Sequence, residues 1–127
     1  MGVFESAPRG GLREVFDGVP RDLILTNASI ERFEDQHRGA FETLEAFGGR
    51  ENRPSVTEVR DLIALGLIGA GMPDQEALAV VQAQGPGENM RLQVIAQCLL
   101  AVTFMPGLRD ELEGLGDDAP PEPSKKK

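Results

Sequence analysis

Two side chains in this sequence have the types needed for nucleophilic or metal chemistry, His37 and Cys98, and each is the single residue of its kind. A Cys–His pair acts as a nucleophile only when the imidazole is oriented by a third group and an oxyanion hole stands beside the sulfur. Neither accessory is evident around these positions. Cys98 lies in the most apolar stretch of the chain, where a cysteine reads as a small buried hydrophobe rather than a reactive thiol. His37 falls on an apolar helical stripe and reads as packing. One His and one Cys also make no metal site, which needs several donors converging at short spacing.

The other patterns that suggest chemistry have plainer readings. Glu31, Glu34, Asp35, Glu42 and Glu45 fall mainly off the apolar stripe and describe a solvated helix face, not a carboxylate pair for acid–base work. The glycines at 66, 69, 71, 85 and 87 have no Gly-Lys-Ser or Gly-Lys-Thr after them and no strand before them, so they end helices, or at 66, 69 and 71 permit close packing, rather than cradle phosphate. Gly69 to Pro73 could join a helix-turn-helix, but its recognition segment, Asp74 to Gln84, contains no Lys or Arg and carries Asp74 and Glu76. The residues thus predict a protein with no catalytic residue, no cofactor and no metal.

Composition narrows the partners. With 13 basic against 21 acidic residues, the net charge is -8, a field that repels nucleic acid. Trp and Tyr are absent, and the six Phe suit a core better than base stacking. No apolar run approaches the ~20 residues that span a bilayer, and none follows a basic start. The expectation is a cytoplasmic, soluble chain without membrane contact. At 127 residues it suits one domain that needs no staple.

The elements that must position these residues begin with a hairpin. Leu12 to Phe16 has β-branched and aromatic content, Asp17-Gly18 tolerates the positive φ of a tight turn, and Arg21 to Leu25 returns with Leu23 and Leu25 on one face. Phe16 and Val19 would face each other, and Pro20 points to a sheet edge. A lone hairpin is marginal in water. Its cover is predicted in the next helix, where Ile30, Phe33, His37, Phe41, Leu44 and Phe47 share one side up to Gly48-Gly49, with Thr26 or Asn27 as cap. Ser55 and Glu58 form a capping box before a second helix bearing Val56, Val59, Leu62, Ile63 and Leu67. A third, short helix follows with Pro73 in its first turn and Leu78 and Val81 inward. The fourth, from about Glu88 to Phe104, is apolar all round and therefore expected at the centre.

The predicted fold is α+β, mainly α: an N-terminal β-hairpin packed on a bundle of about four helices, ending in a disordered tail. Residues 1-10 are expected to be a flexible N-terminus, 11-107 a single globular domain, 108-115 a short amphipathic helix, and 116-127 a disordered charged tail. Leu108, Leu112 and Leu115 stand at helical spacing on a helix too short to be stable alone, so they are the candidate partner-binding residues, docking on this domain or on another protein.

The hairpin, the run LTNASIERFEDQHRGAFETLEAFGG, the segment TEVRDLIALGLIGAGM and the apolar IAQCLLAVTF together resemble the small tail proteins of gene transfer agents and siphophages, grouped with tail assembly chaperones and sometimes labelled tail tube proteins. Leu25-Thr26 opens the helix, Glu31, Glu34, Glu42 and Glu45 lie along it, and Phe47-Gly48 closes it. Arg60 to Leu67 is similar to the pattern before the glycine-rich bend. The resemblance spans roughly residues 11 to 105; one departure is Pro73, where a Ser or Thr cap belongs. It implies no catalytic residues. It implies instead a tail assembly chaperone that binds the tape measure protein, keeps its apolar helices soluble and yields them as the tail tube protein polymerises in the bacterial host cell. The alternative is a structural tail protein retained in the particle. Self-association is a further option.

Overall fold

Asp17 and Gly18 both adopt positive φ, 54° and 81°, which is what a two-residue hairpin turn demands. They join β1 (Leu12–Phe16) to β2 (Val19–Leu23) in an antiparallel pair with Phe16 opposite Val19 and Leu12 opposite Leu23. Next to the turn pair the following pair is non-hydrogen-bonded, so Pro20, opposite Val15, needs no amide hydrogen. The strand ends at Leu23 rather than Leu25 because the Ile24 amide donates to the Gly66 carbonyl at 2.9 Å instead of to β1. This computed structural model describes residues 7–108. Residues 1–6 and 109–127, hence Leu112, Leu115 and the charged tail, lie outside the described residues.

Five helices follow: α1 (Asn27–Gln36), α2 (Ala40–Phe47), α3 (Val56–Gly69), α4 (Asp74–Gln82) and α5 (Asn89–Phe104), the last entered through a 3-10 turn, Pro86–Glu88. Thr26 caps α1 by accepting from the Ser29 amide at 3.1 Å. The Ser55–Glu58 capping box forms as its residues indicate, with reciprocal bonds of 3.1 and 2.9 Å.

The predicted single helix from Ile30 to Phe47 is two helices. His37 leaves helical geometry at φ -130°, ψ -104°, and Gly39 is extended. The break is held from outside the segment. Arg38 donates to Glu58 through Nε at 2.7 Å and through Nη2 at 3.2 Å, and to the Asn52 carbonyl at 2.8 Å. Glu34 accepts from the Ala40 amide at 2.8 Å and so caps the new helix. Phe41, expected on the buried stripe, is consequently 70% exposed, while Phe33 and Phe47 stay buried.

The centre of the fold is α3, not α5. It touches β2, α1, α4 and α5, and every residue from Leu62 to Leu67 is buried. Its glycines allow this. A Cβ on Gly66 would lie 2.7 Å from a Leu99 methyl, and one on Gly69 would lie 1.9 Å from the Ile24 carbonyl oxygen. By contrast, Met90, Val94 and Cys98 on α5 are exposed; the helix is apolar all round, but only one side is covered. On α4, Ala77 and Val81 are buried and Leu78 is 47% exposed, against the expectation for Leu78. Pro73 is the residue just before the helix, not within its first turn. Arg60 of α3 ties α4 to α5: it donates to the Val81 and Gln84 carbonyls at 2.6 and 2.8 Å and to Asn89 Oδ1 at 2.8 Å.

The Gly69→Ala variant is expected to lose about 3 kcal/mol by urea unfolding, because its methyl meets backbone that cannot rotate away. Gly39→Ala, whose Cβ would meet only Glu34 Oε2 at 3.8 Å, should stay within about 0.5 kcal/mol of the wild type. Equal losses would refute this account of the α3 packing.

Glu58 adds a pH dependence. Burial pushes its carboxyl up, but the Arg38 guanidinium and the Ser55 amide outweigh burial and hold it below the ordinary glutamate value. A carboxylate lowered by folding stabilises the fold above its unfolded pKa of about 4.3 and loses that contribution as the pH falls through the folded value. Glu58→Gln should therefore destabilise by about 2 kcal/mol at pH 7, and its deficit should shrink below pH about 4. Melting curves of both proteins from neutral to acid pH check it; a constant deficit would count against the Glu58 linkage.

Candidate functional site

The structure separates the two chemically suggestive side chains. His37 is half-buried at the end of α1, its Nε2 lies 2.7 Å from the Asp61 carboxylate of α3, and its ring packs on Phe33 with centroids 4.7 Å apart. Cys98 is exposed on α5, not buried as its apolar neighbours suggested; partial burial, and then the Glu14 carboxylate of β1, push its thiol pKa up, which leaves it a poor nucleophile. Burial likewise raises Glu14, against the pull of Arg91. The acidic residues of α1 and α2 are exposed, with Glu34 engaged in capping and Glu42 3.7 Å from Arg38. Among the described residues no group of three or more His, Cys, Asp or Glu could hold a metal ion, and no helix is long and apolar enough to cross a membrane.

Of the candidate partner residues, only Leu108 is described. It is half-buried, just past α5, and its amide donates to the Met105 carbonyl at 2.9 Å.

Two larger apolar surfaces stand out instead. The first is a groove of about 200 Å³ over α3. Its floor is Asp61, Ala64, Leu65 and Ile68, which the helical period places in one row. Phe33 and Gln36 of α1 form one wall, Leu78 of α4 the other, and Arg32 and Asp74 bridge the walls at 3.2 Å. Its two carboxylates are paired within the chain, Asp61 with His37 and Asp74 with Arg32, and Leu78 offers an exposed edge.

The second surface is the outer side of α5. Met90, Val94, Gln97, Ala101 and Met105 share one face at helical spacing, with Met90 at 73% and Val94 at 56% exposure. Two residues flank it on the same side. Phe41 of α2 stacks on Phe104 at 4.6 Å near one end, and Val56, beside Pro54, adjoins Met90 and Gln93 around a cleft of about 110 Å³ near the other. Sequence reasoning missed both surfaces. The groove draws on three elements, so no single periodicity reveals it. The α5 face was hidden because the residues opposite it are apolar too; the only contrast in the sequence was Gln93 and Gln97 among hydrophobes.

The family model described as phage tail tube protein, GTA-gp10, matches residues 9–106 of the chain. No curated protein and no solved structure matches it.

Proposed function

We propose, for a chain that belongs to the phage tail tube protein, GTA-gp10 family, a nonenzymatic role as an assembly chaperone of a long phage-like tail, in a gene transfer agent or a siphophage or prophage. In this role it holds apolar helical segments of the tape measure protein in the bacterial cytoplasm and yields them as tail tube protein polymerises around them. The observation that carries the proposal is the groove over α3. Its row of Ala64, Leu65 and Ile68 between the α1 and α4 walls suits the helix-in-groove mode, in which side chains at i, i+3 and i+4 of a partner helix enter an apolar channel. A net charge of -8 keeps such a complex from aggregating while apolar segments are held.

A retained structural role, as a tube or tube-associated protein, is the second reading, and the family's own description favours it. Against it stands the sheet, which among the described residues has two strands of five residues each; a tube ring needs a broad sheet to line its channel.

Co-expression with the tape measure protein of the same gene cluster, followed by pull-down, tests the chaperone role. Wild type should raise tape measure solubility and recover it, whereas Leu78→Glu, at an exposed groove wall, should reduce recovery at least tenfold with an unchanged melting temperature. Unchanged tape measure solubility with the wild type would end this proposal. Mass spectrometry of purified particles separates the two readings: a chaperone is absent or present in traces, a structural protein is stoichiometric.

A further inference from the structure

The exposed face of α5 is self-complementary, and we infer that it pairs with the same face of a second copy in an antiparallel, two-fold symmetric dimer. The argument starts from the order of residues along the face. About a midpoint between Gln97 and Cys98 the apolar positions of the stripe are evenly placed: Met90 and Met105 lie equally far from it, and so do Val94 and Ala101. Antiparallel packing on a two-fold axis through that midpoint sets these pairs opposite each other, large on large at the ends and small on medium near the centre, as an isologous interface requires.

The flanks obey the same symmetry. Gln93 and Phe104, eleven residues apart on a helix, lie on the same side of it, so Phe41 beside Phe104 and Val56 beside Gln93 flank α5 on that one side, at opposite ends. The two-fold then brings Phe41, 70% exposed, onto Val56 and Pro54 of the second copy.

Charge and area distinguish this occupant from others. From Leu92 to Leu108 the chain has no charged side chain, and Arg91 is turned away onto Glu14, Glu88 and the Val15 carbonyl, so two copies of a strongly acidic protein can meet here without like charges in contact. A basic partner helix has no carboxylate on the stripe to recognise. The exposed apolar side chains on the stripe and its flank, Met90, Val94, Met105, Phe41 and Val56, are few for the ~800 Å² per partner of a standard interface, which fits a reversible dimer of about micromolar strength. None of these residues lines the groove over α3, so the inference stands apart from the chaperone role.

Analytical ultracentrifugation of the full chain from about 1 to 100 µM tests it. Wild type should pass from the 13.7 kDa chain mass to twice that value. Val94→Glu, at an exposed position, should remain at the chain mass throughout with unchanged circular dichroism and unchanged tape measure recovery. At a pH where a monomaleimide labels Cys98 fully, a short bismaleimide should join Cys98 to Cys98 in the wild type, since each exposed thiol lies half a position from the two-fold axis, and the yield should fall at least tenfold in Val94→Glu. A wild type that stays at the chain mass at every concentration overturns the inference, whether the face is covered by residues 109–127 or by another tail protein. Dimers that survive Val94→Glu, or that give no Cys98 crosslink, also overturn it.

Discussion

The arrangement depends on one close approach. Where β2 leaves the sheet, Ile24 runs against the last turns of α3, its amide bonded to the Gly66 carbonyl at 2.9 Å and its own carbonyl occupying the space a Gly69 side chain would take. Backbone meets backbone because α3 has no side chain at either point. That contact seats Leu23 on Gly66 from one side while Leu99 reaches it from the other, so a two-stranded hairpin that would be marginal alone becomes part of a continuous core. With α3 fixed in this way, α1 and α4 can flank it without filling the space between them, and the groove is what remains open.

How much of this is legible in the sequence depends on the range of the interactions. Asp17-Gly18 and the Ser55–Glu58 box act within a few residues, and both are readable from residue types and spacing alone. Gly66 and Gly69 are readable as places of close packing, although what packs there is not. The break between α1 and α2 is different. The apolar positions Phe33 and Phe47 keep helical phase across it, and the side chain that holds the break, Arg38, finds its partner Glu58 twenty positions later. Periodicity likewise could not say which side of α5 faces solvent, since both sides are apolar and only the packing of α3 and α2 decides. The Leu108 stripe was readable as a pattern, but the groove and the α5 face draw on several elements and have no linear signature.

Membership of a phage tail protein family agrees with a body whose described surface bears open apolar areas. The two areas differ in chemistry. The groove is concave and holds two ion pairs, Arg32–Asp74 and His37–Asp61; the α5 face is convex and uncharged. One side chain stands between them, because Arg60 bonds the carboxyl end of the groove wall α4 and the first residue of α5. Arg60 thereby satisfies carbonyls that the helix end leaves open and fixes the angle between the elements that bear the two surfaces.

The same close approach has a consequence for the order of events on the ribosome. The hairpin is synthesised before the helices, yet Gly66 and Leu99, which enclose Leu23, emerge about 43 and 76 residues later, a delay of several seconds at ~5–20 residues per second. During that interval Phe16 and Leu23 lack the cover of α3 and α5, while charged side chains, among them the pair Arg13–Asp22, 2.7 Å apart on the other face, keep the nascent hairpin in water. The hairpin therefore waits for its enclosure, and its apolar face stays open to aggregation until α5 has been made.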